Sequence, residues 1–121
     1  MRLDQDFGVT AGKLDELKAR ISRLKIDAAL IEEAFSRGGG KGGQKVNKTA
    51  NRVQLYYAPH DVRVACHRER SRSLNRFFAL RELVDQVEMI VSPETSERLA
   101  EMRRIQKRKA RNHARAVEKA S

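Results

Sequence analysis

The chain has 121 residues, 40% hydrophobic and 35% charged, and its 26 Lys and Arg against 16 Asp and Glu give a formal charge of +10. That length allows one domain with a small core and a tail, and the basic balance, with a pI near 10.4, points to nucleic acid or an anionic membrane surface. No apolar run nears the ~20 residues of a membrane-spanning helix, and Cys66, the sole cysteine, excludes an internal disulfide.

The opening MRLDQDFG holds two acids and no apolar stretch, so neither a signal nor a transit peptide is expected. With the lone cysteine this suggests a reducing, cytoplasmic location. Residues 10–25 read as a helix: Thr10 is the N-cap, and Leu14, Leu17, Ile21 and Leu24 form one apolar stripe. A short turn over Asp27 to Leu30 precedes an extended run from Ile31 to Arg37. Arg52–Tyr57 and Val62–His67 alternate, placing Val53, Leu55, Tyr57, Val62, Val64 and Cys66 on one face of a hairpin. Ala58 to Asp61 is its turn, with Pro59 at the second position.

Ser71 caps a long helix running to Val91. Phe77, Leu80, Val84, Val87 and Val91 make its core side, broadened by Leu74, Leu83 and Ile90. Ser92-Pro93 ends it. The tail restarts with Ser92 as a possible cap and a short stripe of Leu99, Met102 and Ile105. After Gln106 nothing is left to bury, and a frayed or disordered arm is expected. The fold class is α+β: a small antiparallel or mixed sheet packed by a long helix, with an N-terminal helix and a basic helical or disordered tail. The divisions are 1–25, 26–91 and 92–121.

The charge is uneven along the chain. Residues 1–35 carry six bases and seven acids; residues 36–68 carry seven and one, a net +6. Residues 69–91 cancel to zero, and residues 92–121 carry nine and four, a net +5. Two separate basic blocks suggest two contacts on one polyanion.

The first block surrounds the most unusual stretch, Ser36 to Thr49, SRGGGKGGQKVNKT. Five glycines fall within the six residues 38–43. Glycine lets backbone N–H groups approach a ligand that a Cβ would hold off, and Lys41, Lys45 and Lys48 make that ligand anionic. A P-loop is excluded because Gly40-Lys41 is followed by Gly42, not Ser or Thr. A dinucleotide fingerprint is excluded because a hairpin strand, not a helix, follows. His60, His67 and His113 are scattered, so no metal or cofactor is expected. His67 reads as an outward strand residue, Cys66 as a buried structural thiol, and Glu32 and Glu33 as neighbours on opposite faces, a poor acid–base pair.

Gly40 to Asn47 resembles the G-x-G-G-Q-x-x-N signature of class I peptide-chain release factors, with Arg37 matching the arginine ahead of the loop. Glu69-Arg70-Ser71, Asn75-Arg76 and Ala79-Leu80 resemble the family's E-R-S-x-x-x-N-R-x-x-A-L helix start, in the right order and spacing. The likeness covers roughly residues 30–91. The short chain and basic tail are similar to the small codon-independent members, mitochondrial and bacterial, that rescue stalled ribosomes. Lys41 departs from the family's small residue or proline, Gly38 and Gly39 from its usual serines, and the hairpin turn lacks its usual glycine.

The resemblance implies peptidyl-tRNA hydrolysis in the peptidyl-transferase centre. Gly42, Gly43 and Gln44 would be catalytic, and Gln44 would also be the methylation site. Arg37, Lys41, Lys45, Asn47 and Lys48 would meet RNA beside the loop. Arg103, Arg104, Lys107, Arg108, Lys109, Arg111 and Arg115 would hold rRNA phosphates. The implied partners are the large-subunit rRNA and peptidyl-tRNA, without a membrane, for a monomeric protein. A non-catalytic ribosome- or RNA-binding module is the alternative. An architectural DNA binder would explain the charge but not the loop.

Overall fold

The computed structural model describes residues 1–37 and 50–120. Among these residues three strands, β1 (Ile31–Ser36), β2 (Arg52–Tyr57) and β3 (Val62–Cys66), form an antiparallel sheet in the order β1-β2-β3. Among the described residues three α-helices accompany it: α1 (Ala11–Arg23), α2 (Arg72–Val91) and α3 (Glu97–Ala120). The fold is α+β, and among the described residues the sheet is wholly antiparallel.

Strand alternation decides which face is dry. Val53, Leu55, Tyr57, Val62, Val64 and Cys66 are buried, and Gln54, Arg63 and Ala65 between them are exposed. Against the dry face lie Phe77, Ala79, Leu80, Leu83, Val84 and Val87 of α2, with Leu17 and Ile21 of α1 joining the same core. Ala79 has no exposed surface; a larger side chain there would hold the helix off the sheet. Phe7 also reaches the core and meets Phe77 at a ring separation of 6.3 Å. Its neighbours Asp6 and Gly8 are exposed, so no period marks it in the sequence.

The helix starts follow their caps. Thr10 Oγ1 accepts from Lys13 N at 3.4 Å, and Ser71 Oγ from Leu74 N at 3.3 Å. Residues 28–30 form a 3-10 turn capped by Asp27. The hairpin turn is a second 3-10 turn, Ala58–His60, that contains Pro59 and leaves through Asp61 at φ 51°. A short polar side chain tolerates that left-handed backbone, so Asp61 stands in for the missing glycine. Its carboxylate also accepts from Tyr56 Oη at 3.2 Å.

Three expectations are corrected. Ile90 and Val91 are 55% and 41% exposed rather than core. A 20-residue helix is about 30 Å long, and strands of five or six residues reach only about 20 Å, so the last turn of α2 overruns the sheet. The cap of α3 is Ser96, not Ser92. Ser92 ends α2, and Thr95 N and Ser96 N bond back to Ser92 O and Pro93 O in an intervening turn. Ser96 is buried and accepts from Leu99 N at 3.1 Å. Finally, the arm after Gln106 is helical through Ala120. Burial does not explain this, since α3 has no buried residue. Alanines and long basic side chains favour helix, Glu97 suits its N-terminal dipole and Lys119 its C-terminal one, and Glu101 pairs with Arg104.

Candidate catalytic loop and nucleic-acid interface

The glycine-rich segment leaves β1 after Ser36 and returns at Arg52, and these two residues are cross-strand partners. The segment is thus closed at its base by the β1–β2 ladder. Gly42, Gly43, Gln44, Lys41, Lys45, Asn47 and Lys48 lie outside the described residues. Arg37, the last residue described before them, is exposed.

The base of this loop is held from α2. Asn75, in the first turns of that helix and completely buried, donates through Nδ2 to Asn51 O at 2.8 Å and Glu69 O at 2.9 Å. Its Oδ1 accepts from Glu69 N at 3.0 Å and lies 3.6 Å from Cys66 Sγ. One amide therefore ties the return arm of the loop to the β3–α2 turn. Arg72 Nε donates to Ala50 O at 2.8 Å, and its guanidinium lies 4.8 Å from the Phe35 ring centre. Arg76 binds the outgoing strand instead, with a two-pronged bridge to Glu33 at 2.9 and 3.0 Å. Ser36 Oγ is buried at the loop mouth with no hydrogen-bond partner among the described residues.

This clamp gives physical content to the second motif block. Asn75 and Arg76 fix both arms of the loop, Ser71 caps the helix that carries them, and Ala79-Leu80 seats that helix on the sheet. None of Asn75, Arg72, Arg76, Glu33 or Phe35 stands out as a site residue by charge or composition. The available signal was the fixed spacing of Asn75 from Ser71. Glu33 and Phe35 share the inner face of β1, where α2 supplies arginines rather than apolar side chains.

The second basic block lies on α3. Arg103, Arg104, Lys107, Arg108, Lys109, Arg111 and Arg115 are all exposed. Helical spacing sorts them: Arg104, Lys107, Arg108, Arg111 and Arg115 fall at i, i+3, i+4, i+7 and i+11, a single stripe. Lys109 points away from that stripe, and Arg103 lies on its flank.

Ion pairs fix the root of α3. Arg98 reaches Glu82 at 2.5 Å and Asp85 at 3.0 Å. Arg20 of α1 also binds Asp85, at 2.7 Å, and joins Arg23 on the buried Glu88 at 2.8 and 3.0 Å. Thr95 Oγ1 donates to Glu88 as well, at 2.7 Å. Burial pushes the Glu88 carboxyl up, but the hydrogen bonds from Arg20, Thr95 and Arg23 outweigh it and hold the group at about 2. Hydrogen bonding from Arg98 likewise holds Glu82 below the usual carboxylate range.

A sheet-and-helix domain that closes a glycine-rich Gly-Gly-Gln segment at its base is a release-factor architecture. The RF-1 domain matches residues 19–120, and the chain belongs to that family. It is 35% identical over 107 residues to the human mitochondrial translation release factor in rescue, covering 88% of this chain and 64% of that protein. To the Danio rerio protein of the same name it is 40% identical over 87 residues, 72% of this chain and 55% of that one. To the chloroplastic peptide chain release factor PrfB1 of Arabidopsis thaliana it is 36% identical over 80 residues, 66% of this chain and 18% of the other. The chain spans between half and two thirds of the length of the mitochondrial rescue factors it matches.

Proposed function

We propose that this chain is a codon-independent peptidyl-tRNA hydrolase that frees nascent peptides from stalled ribosomes. The observation that carries the reading is the clamp of Asn75 and Arg72 on the return arm of a segment reading Gly-Gly-Gln, within an RF-1 domain. A braced base fixes where the two ends of the segment leave the sheet, and catalysis by positioning depends on such fixed anchors.

The substrate is an ester between the peptide and the terminal ribose of tRNA. Water adds to the carbonyl carbon, the ester C–O bond breaks, and the ribose oxygen takes up a proton. Gly42 and Gly43 admit the backbone to the peptidyl-transferase centre. The backbone N–H of Gln44 stabilises charge on the oxygen, and its side chain positions water and excludes larger nucleophiles. We also propose Gln44 as a methylation site. Arg37, Lys41, Lys45, Asn47 and Lys48 meet rRNA around the loop, and the α3 stripe holds large-subunit rRNA phosphates. The relatives' names place them in mitochondria, a chloroplast and bacteria, so the compartment assigned is one housing a bacterial or organellar ribosome.

The test is peptide release from purified ribosomes stalled on a truncated message without a stop codon. Release is expected from the wild type, partial loss in Gln44→Ala, which keeps the backbone donor, and deeper loss in Gly43→Ala. Gln44→Ala falling far below Gly43→Ala in single turnover would refute the backbone-donor mechanism. Salt-sensitive binding without release, on stalled ribosomes and isolated large subunits alike, would favour the non-catalytic RNA-binding module.

A further inference from the structure

We infer that Arg68, Phe78 and Arg81 form an additional RNA-phosphate site on the flank of the domain, separate from both the glycine loop and α3. The inference rests on reading the chain as a ribosome binder. The site lies in a groove of about 610 Å³ between β3, α2 and the start of α3. The guanidinium carbon of Arg68 is 4.1 Å from the Phe78 ring centre, and that of Arg81 is 5.2 Å from the same centre. Arg63, at the other side of the groove, lies 3.9 Å from the Tyr56 ring centre.

The sequence of residues 69–91 sums to zero charge, and the fold separates what the sum conceals. The acids of α2 are paired with arginines of other helices: Glu82 with Arg98, Asp85 with Arg98 and Arg20, Glu88 with Arg20 and Arg23. Arg63, Arg68 and Arg81 form no ion pair with a described carboxylate, although the charge of Arg81 reaches Glu82 and helps to lower its pKa. The groove is lined by four arginines and two already paired acids, so it presents excess positive charge.

Arg68 and Arg81 both lie against the Phe78 ring without a described carboxylate partner, and an anion in the groove would offset their charge. Stacking on an aromatic face orients the planar guanidinium and leaves its N–H fork for phosphate oxygens. The outer face of a stacked guanidinium can also receive an unstacked base. An RNA strand satisfies both features.

The test uses the full chain and purified large ribosomal subunits, with affinity measured across roughly 50–200 mM salt. Arg68→Gln with Arg81→Gln is compared with Lys13→Gln and Lys18→Gln, which removes the same charge from α1, and melting curves establish that both pairs fold. The arginine pair is expected to weaken binding about tenfold and make the log–log salt slope shallower by about 1 to 2. The same change is expected on deproteinised large-subunit RNA. Arg68→Lys with Arg81→Lys keeps the charge and should retain the slope while losing part of the affinity. Equal effects from the α1 control would overturn the site. So would a loss seen on subunits but absent on naked RNA, which would assign the groove to an acidic protein surface. If the wild type itself shows no salt-sensitive binding, the ribosome-binding reading fails instead.

Discussion

The two basic blocks carry nearly equal charge excess and are built in opposite ways. The first begins and ends on a hydrogen-bonded frame: β1 and β2 pair across its base, and Asn75, Arg72 and Arg76 brace both arms from α2. The second is a 24-residue helix with no buried residue, attached through Arg98 and the turn before it. About 10–15 Å of α2 separates Asn75 from the acids that hold Arg98. The frame defines a position, whereas the helix presents charge along a line. Substitutions in the frame should therefore act through geometry and stability, and substitutions on α3 through electrostatics and salt.

The largest effect is expected at Asn75. Asn75→Ala leaves Asn51 O and the Glu69 backbone without their buried partner, a loss of about 3 kcal/mol in urea unfolding. Peptide release should fall by more than the unfolded fraction accounts for, because the return arm loses its tether. A variant that keeps full stability and full release would remove Asn75 from the frame.

Glu88 tests the joint between the body and the root of α3. Its carboxyl sits at about 2 in the folded protein against an ordinary 4.5. Between those values the unfolded chain binds a proton that the folded chain does not. Stability is therefore full above about pH 5 and falls as pH drops from 4.5 towards 2, by at most about 3 kcal/mol. Glu88→Gln should be less stable near neutral pH by about 2 kcal/mol and should lose most of this acid slope. Parallel pH profiles for the two proteins would show that Glu88 is not the group responsible.

Arg108 and Lys109 sharpen the contrast from the other side. They are adjacent in sequence, but successive side chains on a helix point about 100° apart, so Arg108 lies in the basic stripe of α3 and Lys109 outside it. Arg108→Gln should weaken binding to large subunits several-fold and reduce the salt slope by about 1, whereas Lys109→Gln should do much less. Equal losses would mean that α3 engages RNA as an extended arm rather than as a striped helix.

Much of this architecture was legible from residue patterns. The alternation of β2 and β3, the stripe of α1, and the caps Thr10 and Ser71 need only local rules, and each appears where those rules place it. The failures have common causes. Ile90 and Val91 satisfy the core period, but period carries no information about where the sheet beneath the helix ends. Phe7 is buried by tertiary packing alone. Ser92 and Ser96 both suit a cap, and the turn through Pro93 decides between them. At the candidate site, the Gly-Gly-Gln signature and the Asn75-Arg76 block are visible in the sequence, but the partners of Asn75 are backbone atoms of Asn51 and Glu69, which no side-chain pattern encodes. The cationic groove was not legible because its arginines come from distant parts of the sequence, Arg63 and Arg68 before α2 and Arg81 within it, and the acids of α2 are paired in space by Arg20 and Arg98 from other helices.

The smallest effect on stability is expected where the sequence reading and the fold differ most, in the outer half of α3. Its sequence allows a helical or a frayed, disordered tail because nothing there is buried, and the segment is helical. If that helix stands on propensity, its end dipoles and the Glu101–Arg104 pair, it should weaken without consequence for the core. Ala110→Gly with Ala114→Gly costs about 2 kcal/mol of local helix free energy, and far-UV circular dichroism should show the lost helix. The midpoint of the main unfolding transition should stay put, because no core residue lies on α3. Affinity for large subunits should decline modestly, since the arginine stripe must be ordered again on binding. A lowered unfolding midpoint would reveal that α3 contributes to the stability of the body beyond its root.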